Sequence, residues 1–319
     1  MNKGGKILIT GAAGFIGSHL VSALLKAGYT VRALDNLSTG QFWRIEPWLK
    51  DLEWMEADVC DPEAVARAVQ GVDAVLHQAA IPSVARSVAN PVASNAANVN
   101  GTILLLQACR EAGVRRVVFA SSSSIYGNSA TLPKVETMCP APLSPYAVGK
   151  LAAEQYCQVF ARLGFVETIC LRYFNVFGPR QDPNSQYAAV IPKFIQALLH
   201  QQPVTLNGDG TQSRDFTYID NVVQANMRAL EAQDVSGEVF NIGCGQRYDL
   251  NTLIHQLSAI LDVQPEIRSL PSRPGDVPHS LADIAKAQAR LGYTPCVGFN
   301  EGLKRTVAWF KENSVSARP

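Results

Sequence analysis

The chain has 319 residues and a formal net charge of +1; 47% of its residues are hydrophobic and 17% are charged. This composition supports a large buried core, and the length predicts one large domain or two closely joined ones. The near-neutral charge gives no reason to expect nucleic acid or a membrane surface as a partner.

Targeting, membrane and metal-binding segments are not predicted. The apolar run before Gly11 is too short for a signal peptide, and no apolar run is long enough to cross a bilayer. The seven cysteines are scattered without C-x-x-C spacing, and the five histidines show no ligand spacing. We therefore expect a cytoplasmic protein with reduced thiols and no metal ion.

The first strand runs into a turn that carries a glycine pattern. Lys6–Thr10 reads as a buried parallel strand, and a helical pattern follows from Ser18 to Ala27. Between them, Gly11, Gly14 and Gly17 have the spacing G-x-x-G-x-x-G. A glycine-rich turn between a strand and a helix is typical of a dinucleotide site, because glycine lets the backbone approach a pyrophosphate.

An acidic residue, Asp35, ends the second predicted strand, Thr30 to Leu34. A carboxylate at this place accepts hydrogen bonds from ribose hydroxyls and repels a 2′-phosphate, which favours NAD over NADP. Further strands are predicted at Leu52–Ala57, Asp73–Leu76 and Arg115–Ala120. The strand–helix order repeats through about residue 172 and predicts a doubly wound parallel sheet of the α/β class.

A tyrosine and a lysine are spaced to share one face of a predicted helix. Ser144 suits the N-cap and Pro145 the first helical position, so Tyr146 and Lys150 lie one turn apart. A cation about 4 Å from a phenol contributes roughly 4 kcal/mol at an effective dielectric of 20, equivalent to about three pKa units. We therefore expect Lys150 to lower the pKa of Tyr146, which would make the phenol a base for a substrate hydroxyl during hydride transfer.

These motifs together resemble the extended short-chain dehydrogenase/reductase family and, within it, the NAD-dependent nucleotide-sugar epimerases. The resemblance covers essentially the whole chain. It implies a Rossmann-type doubly wound sheet in residues 1–172, completed by later segments, and a smaller C-terminal α/β substrate domain in residues 173–319. The motifs that carry it are Gly11-Gly14-Gly17, Asp35-Asn36, Asp58-Val59, the run Ser121–Ser124, and Tyr146-x-x-x-Lys150.

The resemblance implies an NAD site along the carboxyl ends of the strands. In the family, Asn98 supports the loops beside the cofactor, on a long helix predicted here from Asn95 to Gly113. His77, at a strand end, is predicted to be a buried structural residue because Tyr146 already supplies the base. The implied cofactor residues are Gly11, Gly14, Phe15, Ile16, Gly17, Asp35, Asn36, Ser38, Thr39, Gly40, Asp58, Val59, Gln78, Ala79, Ala80, Asn98, Ala120, Ser121, Tyr146, Lys150, Phe174 and Val176.

The second half of the chain resembles the family's site for a UDP-sugar. Arg214 and Arg273 match arginines that bind the diphosphate in the family, which suits a planar bidentate donor. The implied substrate residues are Pro82, Ser83, Ser122, Ser124, Tyr146, Asn175, Ala189, Val190, Lys193, Thr205, Leu206, Asn207, Arg214, Arg273, Asp276 and Ser280.

The residues after the serine donor indicate which reaction is performed. Dehydratases and decarboxylases of the family carry a carboxylate there, whereas this chain has Ser122-Ser123-Ser124-Ile125-Tyr126. The resemblance therefore implies 4-epimerisation, with Tyr146, Lys150, Ser122 and Ser123 as the catalytic residues. A non-catalytic NAD-binding or nucleotide-sugar-binding protein of the same fold is the alternative from another class.

The preferred sugar is indicated by two features that disagree. Ser280 occupies the position that admits an N-acetyl group in the family, which implies UDP-GlcNAc and UDP-GalNAc, with UDP-Glc and UDP-Gal also accepted. The segment Ala79-Ala80-Ile81-Pro82 instead resembles UDP-glucuronate 4-epimerases, and Arg86 follows it. The resemblance also implies a homodimer, joined through the helices near residues 95–113 and 145–163.

Overall fold

A seven-stranded parallel sheet forms the centre of the protein. The structure is a computed structural model that describes residues 4–183, 189–271 and 277–314. The central strands lie in the order β11-β6-β5-β4-β1-β2-β3, and every neighbouring pair is parallel. They are β1 (Lys6–Thr10), β2 (Thr30–Asp35), β3 (Leu52–Glu56), β4 (Ala74–His77), β5 (Arg116–Ser122), β6 (Glu167–Tyr173) and β11 (Glu238–Ile242).

Helices cover both faces of this sheet. Those of the first half are α1 (Phe15–Lys26), α2 (Pro62–Ala68), α3 (Val84–Ala89), α4 (Pro91–Asn95), α5 (Gly101–Glu111) and α6 (Pro145–Arg162). Those of the second half are α7 (Val190–Leu199), α8 (Ile219–Glu231), α9 (Leu250–Leu261), α10 (Ala285–Leu291) and α11 (Phe299–Ser314). Short 3₁₀ turns lie at Phe42–Arg44, Glu46–Trp48 and Ser123–Tyr126. In the described part of the chain, no helix combines the length and apolar character needed to cross a membrane.

The two faces of the sheet are buried in separate apolar clusters. Along β1, Ile7 and Ile9 belong to one cluster and Leu8 to the other, as expected from the alternation of side chains along a strand. All three are fully buried, which explains the continuous apolar run in the sequence. The predicted doubly wound α/β sheet is confirmed.

The strand order reverses between β1 and β4, and this reversal locates the cleft. In open α/β sheets, ligands bind outside the carboxyl ends of the strands at such a switch point. The glycine-rich turn follows β1, and the residues from Gln78 follow β4. The serine run ends β5, so the predicted site segments are all brought to one edge of the sheet.

After β6 the chain forms small sheets and then returns to the large one. The small sheets pair β7 (Val176–Phe177) with β10 (Thr217–Tyr218), β8 (Val204–Asn207) with β13 (Ile267–Leu270), and β9 (Ser213–Arg214) with β12 (Tyr248–Asp249). Strand β11 then joins the central sheet beside β6. The chain is thus interleaved, while the division into domains at residue 172 stays a prediction.

The predicted long helix from Asn95 to Gly113 differs in the structure. Helical structure begins earlier, at Pro91, where Asn90 accepts a hydrogen bond from the backbone N–H of Ala93. A π-helical turn, Ala96–Asn100, then separates α4 from α5. Such turns are frequent at functional sites, and this one contains the predicted cofactor-side residue Asn98.

Candidate active site

The glycine-rich turn after β1 is packed against the chain that follows β4. Gly11 has φ +70°, and a Cβ atom there would lie 2.6 Å from the backbone nitrogen of Ala79. A Cβ on Gly17 would lie 2.0 Å from the carbonyl oxygen of Gly11. Side chains at either position would therefore move the turn away from the strand ends. Because Gly14 gives α1 no side-chain cap, the first amides of the helix are available to a phosphate group.

Asp35 lies at the end of β2 and holds two neighbouring turns. Its carboxylate accepts hydrogen bonds from the backbone N–H of Ala13 at 2.9 Å and of Leu37 at 2.8 Å. A Cβ on Gly40 would lie 2.7 Å from this carboxylate, so the next turn also packs closely. Burial raises the pKa of Asp35, and these hydrogen bonds oppose the shift. Its predicted contact with a ribose stays a prediction.

The next strand end continues this pocket. Asn36 donates from Nδ2 to Asp58 at 2.8 Å, and its Oδ1 accepts from the backbone N–H of Ser38 at 3.0 Å. Asn36 and Asp58, two predicted cofactor residues that follow β2 and β3, are thus in direct contact with each other. Together with the glycine-rich turn, they form a surface that fits a dinucleotide.

The tyrosine and lysine of α6 lie against the end of β5. Ser144 caps the helix by accepting a hydrogen bond from the backbone N–H of Ala147 at 3.2 Å, as predicted. Lys150 is buried and donates from Nζ to the carbonyl oxygen of Ala120 at 2.8 Å. Tyr146 is half-buried and interacts with the side chain of Ser122. The structure therefore brings the predicted base and donor together.

The protonation equilibria of this pair differ from the expectation. Burial raises the pKa of Tyr146, and a hydrogen bond with Ser122 opposes that shift. Burial also lowers the pKa of Lys150 to about 8. The predicted lowering of the Tyr146 pKa by Lys150 is not found here, because Lys150 is bonded to Ala120 and the loss of hydration dominates.

Ser122 and its neighbours form a short turn after β5. Ser122 Oγ accepts hydrogen bonds from the backbone N–H of Ser124 at 3.2 Å and from Ser124 Oγ at 2.9 Å. Ser122, Ser123 and Ser124 are all half-buried at the cleft. The buried side chain of Ser121 donates a hydrogen bond to Glu154 at 2.6 Å, and its predicted contact with the cofactor stays a prediction.

Two further polar residues hold the loop and helix that border the cleft. Ser87 is fully buried, and its Oγ accepts a hydrogen bond from the backbone N–H of Tyr146 at 3.0 Å. Asn98 accepts from the backbone N–H of Ile81 at 2.8 Å and thus supports the segment after β4. Ser87 is not predicted from the sequence, where it lies between Arg86 and Val88 without a motif around it.

His77 is a buried structural residue with both ring nitrogens bonded. The backbone N–H of Ala79 donates to Thr10 Oγ1, which lies 2.7 Å from His77 Nδ1. On the other side, His77 Nε2 lies 3.0 Å from Thr102 Oγ1, which itself donates to the Asn98 carbonyl. Because Thr102 has used its proton, His77 must donate from Nε2 and accept at Nδ1. Burial lowers the pKa of His77 to about 3, so the ring is neutral at pH 7.

Several predicted substrate residues lie close together beside the small two-stranded sheets. Asn175 has φ +30° and donates from Nδ2 to Ser280 Oγ at 2.9 Å and to the carbonyl oxygen of Asp215 at 3.1 Å. Arg214 precedes Asp215 and donates to the carbonyl oxygen of Pro278 at 3.0 Å. Positions separated by a hundred residues in sequence are thus in contact.

Asp215 stabilises this cluster from inside. Its fully buried carboxylate accepts hydrogen bonds from the backbone N–H groups of Cys244, Gly245 and Ala282 at 2.8 to 3.1 Å. Burial raises the pKa of Asp215 to about 6, and the three N–H donors oppose that shift. Ala282 is close to Ser280 in sequence. Asp215 therefore holds the segment that contains Ser280, the residue predicted to admit an N-acetyl group.

Other predicted contacts are altered or lie outside the described residues. The side chain of Leu206 is buried in the main apolar cluster, and that of Phe174 is buried beside Tyr126, so neither faces the cleft. The resemblance implies that Leu206 and Phe174 contact a ligand, but it does not distinguish a side-chain contact from a backbone one. Ala189, Val190 and Lys193 lie at the start of α7, and Thr205 and Asn207 lie on β8. Arg273 and Asp276 lie outside the described residues.

Comparison with known proteins identifies the family. Residues 7–243 match the model of the NAD dependent epimerase/dehydratase family. A putative UDP-glucose 4-epimerase of Methanocaldococcus jannaschii is 40% identical over 310 residues, which cover 97% of this chain and 99% of the relative. The chain therefore belongs to this family of NAD-dependent enzymes, and its cofactor is NAD.

Solved structures agree with this assignment. The UDP-N-acetylglucosamine 4-epimerase of Methanobrevibacter ruminantium M1, in complex with UDP-N-acetylmuramic acid, is 38% identical with a TM-score of 0.93, covering 98% of this chain and 100% of that one. The UDP-glucuronic acid 4-epimerase of Bacillus cereus, with UDP-glucuronic acid and NAD, is 35% identical with a TM-score of 0.89, covering 96% and 99%. The predicted enzyme class, an NAD-dependent UDP-sugar 4-epimerase, is confirmed.

Proposed function

We propose that the protein interconverts UDP-GlcNAc and UDP-GalNAc by epimerisation at carbon 4, and that it also accepts UDP-Glc and UDP-Gal. The observation that carries this choice is the place of Ser280, which is half-buried and hydrogen-bonded to Asn175 at the mouth of the cleft. A serine is small and polar, so it leaves room for an N-acetyl group that a tyrosine at the same place would exclude.

The geometry around Tyr146 supports a proton transfer to and from the sugar. Tyr146, ionised to its phenolate, takes the proton of the 4-hydroxyl, while Ser122 donates a hydrogen bond to the same oxygen. NAD held beside these residues would supply the hydride chemistry at carbon 4 that inverts this centre. Tyr146 then returns its proton, so no net oxidation occurs.

Lys150 has a separate role in this scheme. It reaches the carbonyl oxygen of Ala120 from the same helical face that carries Tyr146. Near pH 7 it keeps its charge, since its pKa of about 8 lies above that pH. We propose that this charge would bind the ribose next to the nicotinamide. Together with the positive ring of bound NAD, it would favour the ionised form of Tyr146.

UDP-glucuronate is the second candidate substrate, and a specific observation favours it. Arg86 is exposed on α3, directly before Ser87, which bonds to the backbone of Tyr146. A guanidinium is a planar bidentate donor suited to a carboxylate, and Arg86 adjoins the residue that bonds to the reactive helix. Pro82 and Ser83 precede it, and Ser83 caps α3 by accepting a hydrogen bond from the backbone N–H of Arg86.

Incubation with single substrates tests the proposal. Purified protein is given UDP-GlcNAc, UDP-Glc or UDP-GlcA without added NAD, and the products are identified by NMR. Conversion of the N-acetylated sugar to its 4-epimer supports the proposal and shows that the protein retains its cofactor. Turnover of UDP-GlcA alone would transfer the assignment to the second candidate. Bound NAD without any product would favour a non-catalytic binding protein.

Replacing Ser280 with tyrosine is expected to reduce turnover of UDP-GlcNAc by ten- to a hundredfold while UDP-Glc is little affected. The reason is steric, since a large side chain at the cleft excludes a substituent at carbon 2 at a cost of about 1–3 kcal/mol. The measurement is kcat/KM for both sugars in the wild type and the variant. Ser280→Ala is the matched control, because it loses the bond to Asn175 but adds no bulk. Equal losses of kcat/KM for both sugars would contradict the proposed role of residue 280 in selecting the sugar.

An exposed apolar stripe supports the proposed homodimer. Helix α6 exposes Val148, Tyr156 and Val159 at spacings of eight and three residues, and 52%, 42% and 44% of these side chains are accessible. Val88 and Val92 on the adjoining helices are also exposed. Unpaired apolar faces of this kind mark interfaces. We propose that the helices of residues 91–111 and 145–162 join two copies, and a sedimentation mass near that of one 34.5 kDa chain would contradict this.

A further inference from the structure

A row of buried polar side chains crosses three strands just before the catalytic edge. Ser121 of β5 is the register partner of Arg172 of β6, and Arg172 is the register partner of Asn241 of β11. All three are buried, with at most 4% of each exposed. We call Ser121, Arg172 and Asn241 the polar row. In-register neighbours point to the same face of a sheet, and here that is the face covered by α6.

Helix α6 contributes the partner of this row. Glu154 is fully buried and accepts a hydrogen bond from Ser121 Oγ at 2.6 Å. Arg172 binds the same carboxylate with two donors, Nε at 3.0 Å and Nη2 at 2.6 Å. The ion pair is therefore bidentate and shielded from water, which fixes its geometry more strictly than a surface pair.

The polar row also holds the far end of the serine turn. Tyr126 ends the 3₁₀ turn that begins at Ser123, and its hydroxyl accepts from Arg172 Nη1 at 2.7 Å. The same hydroxyl donates to Asn241 Oδ1 at 2.7 Å. The turn that carries Ser122 is thus attached to the polar row on both sides, by Ser121 before it and by Tyr126 after it.

Three turns of α6 contact three neighbouring residues at the end of β5. Tyr146, Lys150 and Glu154 are spaced by four residues and share one helical face. Tyr146 interacts with Ser122, Lys150 with the carbonyl of Ala120, and Glu154 with Ser121. The contact between Glu154 and Ser121 therefore fixes the position of α6 along β5. This position in turn determines the distance between the base, Tyr146, and the donor, Ser122.

We propose that Glu154, Arg172, Ser121 and Tyr126 are positioning residues that hold the Ser122 hydroxyl against the Tyr146 phenol for catalysis. The role rests on the proposed function, in which Tyr146 is the base. These residues do not face the cleft. A buried ion pair gives little net stability compared with apolar residues of equal volume, whereas a fixed geometry between donor and base directly affects the rate.

Ser121→Ala tests the proposal with the smallest change. We expect kcat to fall about ten- to a hundredfold, since small misplacements of reacting groups have effects of this size. KM and the retained NAD should stay near their wild-type values, because neither site is touched. The acidic limb of the kcat–pH profile should move to higher pH, since weakening the Ser122 contact removes the interaction that lowers the pKa of Tyr146. Unchanged kcat and an unchanged profile would overturn the proposal.

A matched control separates positioning from general loosening of the helix. Thr168 is fully buried on β6, and its Oγ1 donates to the carbonyl of Cys157 on α6 at 2.7 Å. Thr168→Val removes a bond between the same helix and the sheet at the end remote from Tyr146, and should leave kcat and its pH profile unchanged. An equal effect of Thr168→Val would overturn the proposal. Ser121→Thr, which keeps the hydroxyl, should restore most of the rate.

Tyr126→Phe provides a second variant if Ser121→Ala folds poorly. It preserves the ring but removes the hydroxyl that joins Arg172 to Asn241, so the same loss of kcat and the same shift of the profile are expected.

A titration separates failure of this proposal from failure of the proposed function. The NAD-loaded protein is labelled with ¹³Cζ-tyrosine, and the Tyr146 resonance is assigned through Tyr146→Phe. Its pKa should be higher in Ser121→Ala than in the wild type, and an equal value would overturn the positioning role. This result does not depend on turnover. A wild type that converts none of the UDP-sugars would refute the proposed function while the titration still decides the positioning role.

Discussion

Tyr146→Phe is expected to reduce the rate of 4-epimerisation by about 10²–10⁴-fold, the usual contribution of a general acid–base catalyst. Phenylalanine keeps the ring and its packing but cannot take the proton of the sugar hydroxyl. The backbone N–H of residue 146 still donates to Ser87, so the start of the helix keeps its place. The variant should therefore fold normally and retain NAD.

The measurement is the initial rate of epimer formation, with the amount of bound NAD determined after denaturation. Tyr156→Phe is the matched control, because Tyr156 lies on the same helix but is not a site residue, and phenylalanine keeps the ring that belongs to the proposed dimer face. That variant should keep its activity. If Tyr146→Phe were as active as the wild type, the assignment of the base would be wrong.

Glu154→Leu is expected to lower the free energy of unfolding by about 3–5 kcal/mol, which is typical when one partner of a buried ion pair is removed. Arg172 would remain buried without its carboxylate, since only 4% of its side chain is exposed. Ser121 would lose its acceptor as well. Chemical denaturation of both proteins measures the difference.

The double variant Glu154→Leu/Arg172→Met tests whether the lost stability comes from the unpaired charge or from altered packing. Replacing both partners by apolar residues removes the unpaired charge, so much of the lost stability should return. We expect the activity to stay low, because the double variant does not restore the bonds to Ser121 and Tyr126. Arg67→Ala is a surface control: its contact with Glu63 is exposed at 4.0 Å, so the change should be within about 0.5 kcal/mol. Equal stability of the Glu154→Leu variant and the wild type would show that the buried charge of Arg172 does not need Glu154 as its partner.

The sequence was sufficient to predict the central sheet, because the strands are buried on both faces and read as apolar runs. β1 has the predicted bounds, Lys6–Thr10, and the other four strands with predicted bounds differ by a residue or two at their ends, whereas no bounds were predicted for β6 and β11. The helix N-cap Ser144 could also be predicted, since its side chain bonds locally to the first turn. The π-helical turn at residues 96–100 could not, because it has no periodicity that differs clearly from that of an α-helix.

The parts of the site that are local in sequence were also predictable. Tyr146 and Lys150 share a face because of their spacing, and the glycine turn has its own pattern. The partners of Ser121 were not predictable, because they depend on the register between β5, β6 and α6. Glu154 can be partly recognised from the sequence, because it is an acidic residue eight positions after Tyr146 on the inner face of the helix.

The electrostatics of the pair were predicted least well. Lys150 would lower the pKa of Tyr146 only if its ammonium faced the phenol in a polar medium. In the structure Lys150 bonds to a backbone carbonyl, and burial shifts the pKa values of both groups toward their neutral forms. The loss of hydration depends on the whole fold and is not encoded in any short segment.

The return of β11 to the central sheet restricts how this protein can be recombined. Asn241 completes the hydrogen bonds of Tyr126, although more than a hundred residues separate them. A chimera joined at residue 172 would therefore combine a serine turn from one parent with its support from another. We expect such hybrids to fold only when both parents have matching residues at these positions. Equilibrium unfolding of the intact chain should accordingly be a single cooperative transition, without a stable N-terminal fragment.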